Sequence, residues 1–127
     1  MDSSIKLFVA FVMILASLQA SSGDFLEKVE VQIINKLPGA PLLTVHCKSG
    51  DDDLGVHQIP ADSFWQFSFK PSFFESTLFF CSFQWPGAFY HFDVYDQKRD
   101  ENRCHLCHWT ILPTGPCLYN ICEKWNP

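Results

Sequence analysis

Apolar residues in this chain recur at every second position rather than at every third or fourth, which predicts strands. Val29, Val31 and Ile33 alternate with Glu30 and Gln32. Trp65, Phe67 and Phe69 alternate with Gln66 and Ser68. Thr77, Phe79, Cys81, Phe83 and Trp85 share one face of a longer run. Shorter β-prone runs lie at 42–47, 54–59, 89–95, 108–112 and 117–121. Turn chemistry separates them: PGAP at 38–41, SGDDD at 49–53, PAD at 60–62, KPS at 70–72, PG at 86–87 and PTGP at 113–116. The segment 96–103 (DQKRDENR) is predicted to be a charged, solvated loop. About eight short strands with frequent turns predict an all-β antiparallel β-sandwich. Thirteen Phe and four Trp, most of them beyond the leader, supply the large side chains that two packed sheets need.

The first residues follow a different pattern. Lys6 precedes the unbroken apolar run LFVAFVMILA, and small polar residues follow it. The run is shorter than the ~20 apolar residues a membrane-spanning helix needs, so it predicts a cleaved secretory signal over 1–23 and not an anchor. Cleavage after Ala20, Ser22 or Gly23 suits the small-residue rule. Residues 24–127 then form one domain, with no repeat or linker.

A domain of that size gains limited stability from packing alone. Six cysteines change the picture: Cys47, Cys81, Cys104, Cys107, Cys117 and Cys122. An even number behind a signal peptide predicts disulfides in an oxidising compartment, with about 15 pairings open. The net charge of −5 gives no pull toward nucleic acid or anionic membrane. No Asn-x-Ser/Thr site occurs, so no N-glycan is expected.

Several patterns suggest chemistry. Cys104-His105-Leu106-Cys107-His108 has the spacing of covalent haem attachment. No Met follows the leader to complete a His/Met iron site, and the alternating surroundings favour two half-cystines entering a strand. The same cysteines with Cys117 and Cys122 have an uneven spacing for a zinc knuckle, and a redox motif needs a βαβ setting. Asp51-Asp52-Asp53-Leu54-Gly55 places its glycine one position early for a calcium loop, so a turn with side-chain-to-backbone hydrogen bonds is expected. His46, His57 and His91 stand in no recognisable nucleophile setting. No catalytic residue, metal or cofactor is therefore assigned.

Taken in order, VQIIN (31–35), VHCKSGDDDLG (45–55), FSFKPSFFESTLFFCSFQW (67–85), FDVYDQKRD (92–100), CHLCHWTI (104–111) and GPC (115–117) resemble the plant self-incompatibility S-protein family and its S-protein homologues. The resemblance spans nearly all of 24–127. It implies a secreted, monomeric β-sandwich with disulfides between its two sheets. It also implies a ligand role: the family's poppy stigma members engage a receptor on the pollen membrane, and calcium signalling and pollen-tube arrest follow. Cys47, Cys81, Cys107 and Cys117 match the family's core cysteines. Cys104 is also frequent, and Cys122 is the least typical. The implied pairing joins Cys122 to Cys104 and leaves two core bridges.

The implied specificity lies in hydrophilic loops, here 50–55 with Asp51, Asp52 and Asp53, and 96–103 with Lys98, Arg99 and Asp100. GDDDLG and KRD resemble features shared across the family, which implies a structural alternative for them and moves private specificity to 38–41, 86–91 or the tail. The resulting expectation is a non-enzymatic extracellular ligand for a cell-surface receptor protein, with no nucleic-acid partner and no stable membrane insertion. The alternatives are a secreted defence protein, which would ordinarily be cationic, and a secreted ribonuclease, which needs paired histidines.

Overall fold

The computed structural model describes residues 27–72 and 76–126. The leader expected at 1–23 lies outside them. Nine strands and one short helix occur among the described residues: β1 (Val29–Asn35), β2 (Leu43–Lys48), β3 (Asp53–Ile59), β4 (Phe64–Phe69), β5 (Leu78–Trp85), β6 (Ala88–Asp96), α1 (Gln97–Asp100), β7 (Leu106–Leu112), β8 (Gly115–Leu118) and β9 (Ile121–Cys122). They form two sheets, ordered β4-β1-β7-β8-β9 and β3-β2-β5-β6. The all-β expectation holds, with one difference. β1 and β7 run parallel, with Glu30 opposite Leu106 and Ile33 opposite Trp109, while the other strand pairs are antiparallel. The first strand therefore lies inside its sheet, between β4 and β7.

The period of two decides what is buried. Val29, Val31 and Ile33 of β1, Leu43 and Val45 of β2, Phe79 and Phe83 of β5, and Trp109 and Ile111 of β7 all face the interior. β4 is less deeply covered, yet Trp65, Phe67 and Phe69 pack on the core. The ring of Phe69 lies 4.5 Å from Phe79 and 4.8 Å from Tyr95, joining the edge strand of one sheet to β5 and β6 of the other. Trp109 is fully buried, and its Nε1–H donates to the Val94 carbonyl at 2.8 Å, so its one polar atom is satisfied.

Where β1 ends, Asn35 is buried and fully used. Its amide donates to the carbonyls of Pro41 at 2.8 Å and Ile59 at 2.9 Å, and its oxygen accepts from Leu37 N–H at 3.0 Å. One side chain thus ties together the β1–β2 and β3–β4 connections. The predicted strand 117–121 is broken by a hairpin at Tyr119 and Asn120, which adds β9.

The tail closes one edge of the sandwich. The ring of Trp125 stacks on Tyr90 at 5.1 Å and lies 5.0 Å from Phe83, and Asn126 pairs with His91 of β6. Gly115 allows this path: a Cβ there would fall 1.8 Å from the Glu123 carbonyl oxygen. The tail is therefore a structural strap.

The disulfides differ from the implied pattern in two ways. They are Cys47–Cys81, Cys104–Cys107 and Cys117–Cys122, so Cys122 does not pair with Cys104. Nor does any of them bridge the sheets. Cys47 and Cys81 face each other on β2 and β5 of one sheet, and Cys117 and Cys122 on β8 and β9 of the other. The reason is distance: packed sheets stand ~10 Å apart, whereas bridged Cβ atoms need ~4 Å. Adjacent strands meet that requirement.

Loop length ranks the bridges. Cys47–Cys81 spans 34 positions and Cys104–Cys107 only 3. Replacing both cysteines of the first pair by alanine is expected to lower unfolding free energy by about 4 kcal/mol, and of the second by about 2 kcal/mol. Urea unfolding of the two double variants checks this order.

Candidate functional site

The connections separate into two ends of the sandwich. One end is rich in proline: the β1–β2 connection, the turn at 60–63, the β5–β6 turn at Pro86-Gly87 and the β7–β8 turn at Pro113-Thr114. The other end is charged. It gathers the β2–β3 turn, residues 70–72 and 76–77, α1, residues 101–105 and the β8–β9 turn.

Gln97 at the start of α1 binds this charged end together. Its side-chain oxygen accepts from Thr77 N–H at 2.8 Å, its amide donates to the Ser72 carbonyl at 3.0 Å, and its own N–H donates to the Thr77 carbonyl at 3.0 Å. Asp96 caps the helix by accepting from Lys98 N–H at 3.1 Å.

The segment expected to be a solvated loop is therefore a one-turn helix whose acidic residue points inward. Asp100 is fully buried. Arg99 donates to it through two nitrogens, at 2.9 and 2.8 Å, and Asp96 N–H donates at 3.0 Å. Arg103 is a further ion pair at 3.5 Å. The Arg99 guanidinium also donates to the Asp93 carbonyl at 2.7 Å and lies over the rings of Phe92 and Trp109 at 5.1 and 5.5 Å. Burial opposes the Arg99 charge, but the hydrogen bond and attraction of Asp100 prevail, so the guanidinium holds its proton more tightly than usual. Asp100 therefore presents no surface of its own, while Arg99 is partly exposed with its guanidinium bound to Asp100. Lys98 remains exposed.

The acidic turn behaves as its sequence predicts. Ser49 N–H donates to the Asp52 carbonyl at 2.8 Å, and Asp52 N–H donates to the Ser49 hydroxyl at 3.1 Å. Asp53 Oδ1 accepts from Gly55 N–H at 2.9 Å and lies 2.7 Å from His46 Nε2. Gly55 has φ 82°, a conformation that suits glycine. The Gly55 hydrogen bond, helped by His46, lowers the Asp53 pKa below the ordinary carboxylate value. Asp53 is therefore occupied in holding the turn, while Asp51 and Asp52 are exposed.

Asp51 and Asp52 form one wall of an open groove of about 500 Å³ whose other lining includes Lys70, Leu78 and Phe80. At the proline-rich end a shallower depression of about 680 Å³ runs over Leu42, Gln84, Pro86 and Phe89. A third concavity, of about 520 Å³, adjoins the β8–β9 turn between Glu101, His105, Leu106 and Tyr119. The exposed apolar residues beside it were not among the residues picked out from sequence. The signal was slight: Asn120, a turn former, between Leu118-Tyr119 and Ile121.

The haem-like pattern resolves as local bonding. Cys104 and Cys107 are bonded to each other, and His108 Nε2 lies 2.8 Å from Glu30 Oε2 across β7 and β1. The remaining four cysteines are likewise in disulfides, which removes the thiolates a zinc knuckle would need.

Comparison with known sequences adds a second line. Residues 30–126 match the profile of plant self-incompatibility protein S1. The chain is 49% identical over 100 residues to S-protein homolog 5 of Arabidopsis thaliana, covering 79% of this chain and 78% of that one. It is 42% identical over 107 residues to S-protein homolog 3 of the same plant, covering 76% and 71%. With S-protein homolog 29 the identity is 33% over 135 residues, covering 99% and 100%. No solved structure matches.

Two measurements check the electrostatics described above. Burial, aided by Asp100, Glu101 and Asp96, pushes the Tyr95 hydroxyl up to about 12. An absorbance titration should show a tyrosine ionising near that pH, absent in Tyr95→Phe. Because the folded group holds its proton longer than the unfolded one, stability should fall as pH rises from 10 toward 12. Asp100→Asn leaves two guanidinium groups facing a neutral amide, and should lower unfolding free energy by about 3–5 kcal/mol in urea titrations.

Proposed function

This chain belongs to the plant self-incompatibility protein S1 family, and from that premise we propose that it is a secreted, non-enzymatic recognition ligand acting on a receptor protein at a plant cell surface. The observation that carries the reading is the build of the charged end. Loops from both sheets meet there, and Gln97 and Asp100 hold them in place by hydrogen bonds from several elements.

Rigid scaffolds presenting loops lose little conformational entropy on association, so their contacts translate efficiently into affinity. The disulfides suit a chain that works in an oxidising extracellular space. On this reading Asp51, Asp52 and Lys98 are exposed charges available to a partner, while Asp53, Arg99 and Asp100 keep the surface in shape. Rim charges of this kind steer encounter more than they hold the complex.

Fluorescently labelled, oxidised protein without the leader should bind intact plant cells, pollen tubes included, saturably and in competition with unlabelled protein. Asp51→Asn/Asp52→Asn should weaken binding several-fold, mainly through a slower association that is less sensitive to salt. A failure of the unmodified protein to bind any tissue saturably would sink the ligand reading.

A further inference from the structure

The β8–β9 hairpin turns on two residues, Tyr119 and Asn120. Leu118 and Ile121 face each other across it, and the Cys117–Cys122 bridge closes the next rung. Tyr119 has φ 53°, a left-handed conformation that glycine adopts freely and a bulky aromatic does not. A turn chosen only to reverse the chain would carry glycine there.

The tyrosine is instead 65% exposed, more than any other exposed large hydrophobic among the described residues. Its hydroxyl donates to the Leu106 carbonyl, so the ring is held across the surface. Leu106 and Ile121 are each about half exposed, and the 520 Å³ concavity lies alongside. A strained backbone, a locked ring and a disulfide directly behind it make a pre-organised apolar knob.

We propose that this hairpin, with Tyr119 at its tip and Leu106 and Ile121 beside it, is the anchor that docks a folded protein partner, whose surface supplies an apolar pocket for the tyrosine ring. The assignment rests on the ligand reading above and names its contact patch. Rigid aromatic side chains dominate protein interfaces because they bring large contact area with few rotatable bonds. Arg103 and His105 line the concavity with Glu101, but Arg103 is held by Asp100 and Glu123 and His105 lies against Glu27, so the chain's net charge of −5 is not offset there and opposes a phosphate-bearing surface. A protein pocket rimmed by cationic side chains complements it.

The test compares labelled wild-type protein, Tyr119→Gly and Phe64→Ser on intact plant cells. Glycine relieves the left-handed backbone, so the Tm of Tyr119→Gly should hold or rise while its half-saturating concentration rises at least about tenfold. Phe64→Ser, an exposed apolar position at the opposite end, should bind as the wild type does. If the wild type binds saturably and Tyr119→Gly matches it, the anchor is overturned and the ligand reading stands. If the wild type shows no saturable binding, both fall. Tyr119-dependent binding to phosphatidylcholine vesicles containing phosphatidylserine would overturn the protein partner in favour of a membrane.

Discussion

Asp100 is a carboxylate with no access to solvent, and that state is tolerable only while charges and donors surround it. Two arginines and the Asp96 amide meet the demand. Meeting it fixes the α1 turn, and the turn places Gln97 where it grips Ser72 and Thr77. The same arginines lie over Trp109, the largest fully buried side chain, which is hydrogen-bonded to β6. Charge, aromatic core and loop geometry at this end form one network, so a change at Asp100 reaches the groove beside the acidic turn without touching it.

The proline-rich end is organised differently. Its turns are set by local backbone preference, and Asn35 holds two connections through neutral hydrogen bonds. The charged end thus turns on a buried carboxylate and its arginines, with Gln97 beside them, and the other end on the buried amide of Asn35. The strap through Trp125 joins the two sheets along their remaining edge. Together these devices let a chain of modest length hold several loops still.

The alternation of apolar residues made the strands legible because burial in a sandwich has a period of two, and both faces of β1, β2 and β5 obey it. Turn residues located most of the connections for the same local reason. What could not be read were the features set by distant partners. DQKRDENR carries no local mark that Asp100 turns inward, because the arginines and the ring of Trp109 that receive it are brought by the fold. Disulfide pairing depends on which strands become neighbours, and the parallel pairing of β1 with β7 is a tertiary choice. The acidic turn was legible because Asp53 serves a hydrogen bond only two residues away. The Tyr119 turn was hidden inside an apolar run that looked like continuous strand.

The interior position of β1 also constrains the order of assembly. As the chain emerges, β1 can pair first only with β4, and its other side must wait for β7, about three-fifths of the chain later. The sheet of β2, β3, β5 and β6 has no such dependence, since its strands are complete before β7 is made, and Cys47–Cys81 lies wholly within it. That half is free to close early, while the half carrying the hairpin and tail is completed last. A chain cut short before β7 would leave the inner flank of β1 open, an unpaired sheet edge of the kind that invites a neighbouring chain to add a strand.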